Sequence, residues 1–207
     1  MEILSRQTRP TNKLRRRILA FGAGLALAMI SQAPRVAHAE DPAPAAAQAQ
    51  AKVGDSLPDA TIRDASDKPA PIPDLGQKVL LIMYTDPDDA DQNDPFADAV
   101  KAKVIDKDYF KSVGIANMKD APAKPNWIIR AIVRSKIKKY NVTILTDPDR
   151  LLPTAWHLGD CNNKSVVLLI DKSRKLRFFK KGRLSDAEQA EALRLIDELV
   201  ADAKAGK

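Results

Sequence analysis

Cysteine is nearly absent from this sequence. Cys161 is the single cysteine among 207 residues, so the chain cannot form an internal disulfide. Dithiol redox chemistry, which needs two cysteines in one short motif, is excluded for the same reason. The core must therefore be held by packing alone, and the chain is long enough to bury a core of that kind.

Motifs that bring a cofactor are missing as well. The sequence has no glycine-rich phosphate loop, no Gly-x-Ser-x-Gly nucleophile turn and no zinc-type spacing of cysteine and histidine. Nucleotide-dependent, serine-hydrolase and zinc-dependent chemistry therefore find no support, and the sequence predicts no cofactor.

The first 39 residues have the form of a cleavable secretory signal. Basic residues, ending in Arg15-Arg16-Arg17, precede the apolar run 18–30, and Ala37-His38-Ala39 offers small residues to a signal peptidase. The apolar run is short for a membrane span, although an N-terminal anchor helix is the alternative. We expect export to the periplasm of a Gram-negative bacterium by the Sec or twin-arginine route, without a stable membrane anchor after cleavage.

The basic character of the chain is concentrated in this predicted signal. The net charge of the whole chain is +7, but residues 1–39 carry seven basic residues and one acidic residue, which leaves +1 for the remainder. That balance gives no electrostatic basis for nucleic-acid binding. The expected partners are another exported protein or a small ligand.

The rest of the chain divides into a linker and one domain. Residues 40–52 (EDPAPAAAQAQAK) lack large apolar side chains and predict a flexible linker. The domain, 53–207, alternates buried-strand patterns with helical ones, which predicts an α/β fold with a central mixed sheet and helices on both faces. The predicted strands are 60–63, 79–84, 112–117, 142–146, 165–171 and 176–180, with a turn and connector over 64–73. The predicted helices are 95–104 capped by Asp94, 126–140, 149–158 closed by Gly159, and 185–201 with a Ser185/Glu188 capping box.

Several segments, taken in order, resemble the thioredoxin-like superfamily. They are the opener VGDSLPD, the strand GQKVLLIMY followed by a loop and a helix, and the ending SVVLLIDKSRKLRFFKKGRLS before a final helix. More narrowly, the sequence is similar to the YtfJ family of exported bacterial proteins at the pairs Thr146-Asp147 and Ala155-Trp156 and at the runs 166–171 and 180–184. The resemblance implies a thioredoxin-like three-layer sandwich.

The positions that carry redox chemistry in that superfamily are filled differently here. TDPDDAD follows Tyr84, where a C-x-x-C motif or a peroxidatic cysteine would stand. Asn162-Asn163-Lys164-Ser165 precedes the next central strand, where a cis-proline is usual. The resemblance therefore transfers no catalytic residue and implies a degenerate active site.

The loop after Tyr84 is acidic. Its aspartates are Asp86, Asp88, Asp89, Asp91 and Asp94. The run from Asp89 through Asp91 to Asn93 starts like a calcium loop, but the glycine and the final glutamate of such a loop are missing. The favoured interpretation is that the carboxylates cap and charge the start of the following helix. A ligand site that uses Asp86, Asp88 and Asp89 is the alternative.

Cys161 is the second candidate. In a thioredoxin-like fold the Asp160–Ser165 loop faces the acidic loop, so Cys161 would adjoin the vacant redox position and any ligand site there. A lone thiolate can react with peroxide or form a mixed disulfide, with His157 assisting. The nearby aspartates would raise the pKa of the thiol and oppose such a reaction, so an unreactive thiol is the favoured interpretation.

The second predicted helix supplies the last candidate. Arg130, Arg134 and Lys138 repeat every four residues on it. They form either a docking face for an acidic partner or an ordinary solvated helix face. Trp127 and Trp156 are expected to pack in or near the core.

Three functions follow from these observations. The favoured one is a non-catalytic thioredoxin-like protein that binds a protein or a small ligand at the degenerate edge. The first alternative is a single-cysteine thiol oxidoreductase or peroxidase that uses Cys161. The second is a calcium-dependent binding module that uses the Asp86–Asp94 loop.

Overall fold

Seven strands form one mixed sheet. A computed structural model describes residues 49–121 and 125–206. The strands are β1 (Thr61–Arg63), β2 (Pro69–Pro71), β3 (Val79–Thr85), β4 (Phe110–Asn117), β5 (Thr143–Asp147), β6 (Ser165–Ile170) and β7 (Leu176–Lys181). Their order across the sheet is β2-β1-β5-β4-β3-β6-β7. Strands β3, β4 and β5 are parallel to one another, and every other pairing is antiparallel.

Helices cover both faces of this sheet. They are α1 (Asp94–Ala102), α2 (Asn126–Tyr140), α3 (Leu151–Ala155) and α4 (Asp186–Lys204), and a short 3₁₀ helix spans Pro87–Asp89. Side chains of α3 and of the segment before β1 pack on one face, and those of α1, α2 and α4 pack on the other. The three-layer α/β architecture predicted from the sequence is confirmed.

The central strands are apolar throughout because both of their faces are buried. In β3, Leu80, Ile82 and Tyr84 face the α3 side, whereas Val79 and Leu81 face α1 and α4. All six residues of β6, which pairs with β3, are buried. These two strands form the middle of the core.

The last helix begins at a capping box, as predicted. The Ser185 side chain accepts a hydrogen bond from the Glu188 N–H, and the Glu188 carboxylate accepts one from the Ser185 N–H. The same carboxylate pairs with Lys180 of β7 at 2.7 Å. The cap therefore ties the helix to the edge strand of the sheet.

The predicted cap of α1 and the predicted end of α3 are wrong. Asn93, not Asp94, occupies the N-cap of α1, and its side chain makes no cap hydrogen bond. Helix α3 ends before Gly159, because Trp156 is its C-cap and His157 follows in the left-handed conformation, with φ of 50°. A left-handed residue just after a helix is a standard stop, and here histidine fills the position more often given to glycine.

The predicted connector and the predicted linker also differ from the structure. The segment expected to be a plain connector includes β2, which pairs with β1. Ala51 lies in the predicted linker, yet it is buried and its N–H donates to the His157 carbonyl at 3.0 Å. The predicted signal, residues 1–39, and most of the linker lie outside the described residues. In the part of the chain that the structure does describe, no helix is both long and apolar enough to cross a membrane.

Acid should weaken the capping box. The hydrogen bond from the Lys180 ammonium, together with those from Ser185, lowers the pKa of Glu188 to about 2. A lowered pKa contributes stability that is present above the unfolded value and is lost as the pH falls through the folded value. We expect Glu188→Gln to lower the Tm by roughly 2–4 °C at pH 6 and the deficit to shrink towards pH 2.

Thermal melts of the wild type and the variant between pH 2 and 7 measure this difference. Glu191→Gln, an exposed change on the same helix, is the matched control and should leave the Tm nearly unchanged. An equal deficit for Glu188→Gln at every pH would contradict the expected titration.

Candidate polar site at the carboxyl edge of the sheet

Buried polar side chains collect where the parallel strands end. Asp86 follows β3, Asn117 ends β4 and Asp147 ends β5, and each is fully buried. Because parallel strands place their carboxyl ends at one edge of a sheet, residues far apart in the sequence meet there. This edge is the candidate functional site.

Asp86 joins the two loops that form one side of the edge. One carboxylate oxygen accepts the Asp88 N–H at 3.0 Å, and the other accepts the Asn163 N–H at 2.9 Å. The backbone N–H of Asp86 donates to the Lys164 carbonyl at 3.1 Å. The acidic loop and the loop before β6 are thus brought together by a buried carboxylate.

A second buried carboxylate starts α3. The two oxygens of Asp147 accept the N–H groups of Leu151 and Leu152 at 2.9 and 3.0 Å. Tyr84 donates its hydroxyl to the same carboxylate at 3.3 Å. Burial, aided by the charge of Asp147, raises the pKa of Tyr84 well above its ordinary value. Tyr84 therefore acts here as a protonated donor.

A charged pair lies beside this network. Arg150 donates to both carboxylate oxygens of Asp120, with Nε at 3.2 Å from Oδ2. Asn117 donates to Oδ2 of the same carboxylate at 2.6 Å. The side chain of Asp120 is 4% exposed and that of Arg150 is 51% exposed. The guanidinium therefore extends from a buried anchor towards solvent.

The backbone of Arg150 is itself unusual. Its φ is 56°, in the left-handed region that residues other than glycine seldom adopt. Strained backbone of this kind is concentrated at functional sites. Here the conformation places the side chain of Arg150 against Asp120.

Asp120 and Arg150 form one wall of a pocket of about 300 Å³. Its lining is Asp120, Arg150, Pro153, Gly159, Asp160 and Cys161. Asp160 pairs with Lys164 at 2.6 Å. Lysine, arginine and aspartate side chains thus bring charges of both signs to the pocket and its rim.

Cys161 lines this pocket but belongs to the core. It is 3% exposed, and its thiol donates to the Gly159 carbonyl with sulfur and oxygen 3.4 Å apart. Burial raises the pKa of the thiol to about 11, and the opposing effect of Lys181 is partly cancelled by Asp160. The group is protonated at neutral pH. His157 is exposed, and among the described residues no hydrogen bond joins it to Cys161.

The candidate calcium residues are not brought together as ligands. The Asn93 side chain is buried, and it donates to the Gly182 carbonyl at 3.0 Å and accepts the Leu184 N–H at 2.9 Å. Asp91 is exposed and Asp89 is half-buried. Among residues 49–121 and 125–206, no three His, Cys, Asp or Glu side chains lie together so that they could hold a metal. Asn93 does not act as a calcium ligand here, because its side chain is hydrogen-bonded to the 182–184 segment.

Two of the three basic residues that repeat along α2 make structural contacts. Arg130 pairs with Asp67, and Arg134 donates to the Ala65 carbonyl at 2.9 Å. Both contacts secure the turn between β1 and β2. Trp156 is buried as expected, but Trp127 is 70% exposed, contrary to the prediction.

Sequence reasoning missed most residues of the pocket and its supporting network. Asn117, Asp120, Asp147 and Arg150 were not among the candidates. Asn117 and Asp147 could have been found from the sequence, because each is a polar residue at the end of a strand of a parallel sheet. Ligands bind at the edge where such strands end. Asp86 and Cys161 were identified for their residue type instead.

Removal of the Asp86 carboxylate should loosen both loops. Asp86→Ala leaves the buried N–H groups of Asp88 and Asn163 without their acceptor. Bonds to a charged acceptor contribute about 1.5–3 kcal/mol each, so we expect a loss of about 2–4 kcal/mol in the free energy of unfolding. Urea unfolding measures the loss, and amide hydrogen exchange at Asn163 should accelerate.

Asp91→Ala is the control, since it removes an exposed aspartate from the same loop. Its effect should stay within about 0.5 kcal/mol. Equal effects for the two variants would show that Asp86 does not hold the loops together.

Solved structures with similar folds include a peroxiredoxin-like protein, a lipoprotein thioredoxin and a thiol-disulfide isomerase. A peroxiredoxin-like protein from Aquifex aeolicus aligns with a TM-score of 0.53 and 15% identity over 74% of this chain and 90% of that chain. The pneumococcal exposed lipoprotein thioredoxin from Streptococcus pneumoniae aligns with a TM-score of 0.52 and 14% identity, over 69% of this chain and 100% of that chain.

A thiol-disulfide isomerase from Corynebacterium glutamicum aligns with a TM-score of 0.51 and 14% identity, over 71% of this chain and 96% of that chain. At such identities the likeness establishes the fold alone, and it confirms the thioredoxin-like architecture. No curated protein matches the chain.

A family model described as "Bacterial protein of unknown function (YtfJ_HI0045)" matches residues 75–199. This range includes β3 to β7 and most of α4, and therefore the whole polar edge. The chain is thus a member of the YtfJ family, with a thioredoxin-like fold and a single cysteine.

Proposed function

We propose that this chain is an exported, non-catalytic binding protein, and that the polar pocket is its binding site. The observation that carries the proposal is the pocket wall formed by the buried Asp120 and the half-exposed Arg150. A charge held on a buried anchor is fixed in position before a ligand arrives, which lowers the entropic cost of binding. The predicted secretory signal supports the exported location.

The ligand class follows from the charges of the pocket. Arg150 offers guanidinium N–H groups, while Asp160 offers a carboxylate beside the ammonium groups of Lys164 and Lys181. A small zwitterion, such as a free amino acid, or the end of a peptide from an exported partner, carries complementary groups. The pocket volume of about 300 Å³ is at the lower end for ligand sites and suits a compact ligand.

Thiol chemistry is the alternative function. The only structural support for it is that Cys161 lines the pocket. A nucleophilic cysteine must be a thiolate, and reactive cysteines have a lowered pKa and some exposure. Cys161 has neither, because burial raises its pKa to about 11. The thioredoxin-like neighbours named for thiol exchange support this alternative through the fold alone.

Thiol reactivity separates the two functions. We expect Cys161 in the folded protein to react with a disulfide reagent at pH 7.5 at least tenfold more slowly than in 6 M guanidinium, since both burial and the raised pKa suppress the thiolate. The folded rate should still be rising at pH 10. Stopped-flow absorbance across this pH range measures it. Rapid reaction with a midpoint near or below pH 7 would establish a reactive thiol and overturn the non-catalytic proposal.

Binding is tested with a defined zwitterion. We expect glycylglycine to shift the backbone amide resonances of Gly159 and Asp160 saturably, and Arg150→Gln to weaken this binding about threefold to fivefold. That is the typical effect of removing one partner of a charged contact that is partly exposed to solvent, and the side chain of Arg150 is 51% exposed. Two-dimensional NMR titration gives the affinity, and circular dichroism checks that the variant is folded.

Arg183→Gln is the matched control, because Arg183 is exposed and lies outside the pocket. Its affinity should equal that of the wild type. If glycylglycine, free amino acids and longer peptides all leave Gly159 and Asp160 unshifted, the pocket does not bind this ligand class.

A further inference from the structure

A second cavity lies on the other face of the sheet, between the sheet and α2. Its volume is about 210 Å³. Met83 and Thr85 of β3 contribute to it, and they alternate with Tyr84, which faces the polar network. Successive residues of a strand point to opposite faces, so this groove is separate from the polar pocket.

The groove exists because side chains are small at its floor. Gly114 and Ala116 of β4 lie opposite Ile129 and Val133 of α2. A Cβ built on Gly114 would meet its nearest neighbour, Ile144, at 3.5 Å, an ordinary contact. Gly114 is also absent from the positive-φ glycines, so the backbone does not require glycine there. Its missing side chain leaves the space open.

The two ends of the groove differ in charge. A helix that connects parallel strands runs back along the sheet, so Lys136 lies far from the carboxyl edge while Ile129 lies near it. Lys136 lines the groove, and its ammonium has no ion pair or hydrogen bond among the described residues. Pro87 and Ala90 line the opposite end, within the acidic loop. An anionic group is therefore favoured at the Lys136 end only.

We propose that this groove binds the anion of a free medium-chain fatty acid. The alkyl chain lies over Gly114 between Met83 and Val133, and the carboxylate pairs with Lys136. Only the Lys136 end of the groove has a charge complementary to a carboxylate, because the acidic loop at the other end repels it. Ile132 is 44% exposed, and it gives the alkyl chain an apolar wall at the mouth of the groove.

Calorimetric titration of the purified protein with octanoate tests the proposal. We expect one saturable site per chain, and an affinity that rises roughly fourfold for each methylene from hexanoate to octanoate, which corresponds to about 0.8 kcal/mol per buried methylene. Lys136→Gln should weaken octanoate binding about threefold to fivefold, the effect of an exposed ion pair. Octyltrimethylammonium should bind more weakly than octanoate.

Two variants separate the groove from nonspecific binding. Gly114→Val fills the floor and should weaken octanoate binding at least tenfold, while Lys138→Gln, an exposed change on the same helix that does not line the groove, should have no effect. If Gly114→Val is unfolded, the chain-length series and Lys136→Gln still decide the matter.

Three results would overturn the proposal. They are equal affinity for octanoate and octyltrimethylammonium, no dependence on alkyl length, and a dimer in sedimentation that Gly114→Val dissociates. The last result would mean that a second copy of the chain covers the groove.

Discussion

The buried carboxylate of Asp86 is the contact on which the carboxyl edge of the sheet depends. It accepts N–H groups from its own loop and from the loop before β6, so the ends of two central strands are held in one arrangement. Cys161 lies in the segment that enters this second loop. It is buried in the core on the α3 side of the sheet, and this burial raises the pKa of its thiol. The aspartate that follows β3 is thus a structural residue of this edge.

The same sheet presents different environments on its two faces. On the α3 side, buried polar groups fix Asp120 and Arg150 beside a polar pocket. On the α2 side, small side chains leave an apolar groove with a lysine at one end. Both environments follow from the alternation of side chains along β3. Tyr84 donates to Asp147 on the α3 side, whereas Met83 and Thr85 line the groove on the α2 side. The two faces of one strand therefore lie towards two chemically distinct cavities.

The sequence predicted the fold well where local patterns are strong. The apolar runs of β3 and β6, the exact span of α2 and the Ser185/Glu188 capping box are all set by residues close together in the chain. The errors arose where distant segments decide the outcome. In the sequence Asn93 is part of a possible calcium loop, yet its side-chain amide bonds to the 182–184 segment. Arg130 and Arg134 read as a solvated face, yet they secure the β1–β2 turn.

The candidate site was less predictable for the same reason. Asp120 and Arg150 are 30 residues apart and belong to no motif, so only the pairing of β4 with β5 brings them together. We propose that this edge binds a ligand without using the thiol of Cys161. The most direct test is the affinity of glycylglycine for Cys161→Ser, which keeps the size of the side chain and removes the sulfur. We expect an affinity within twofold of the wild type, and loss of binding in this variant would contradict the proposal.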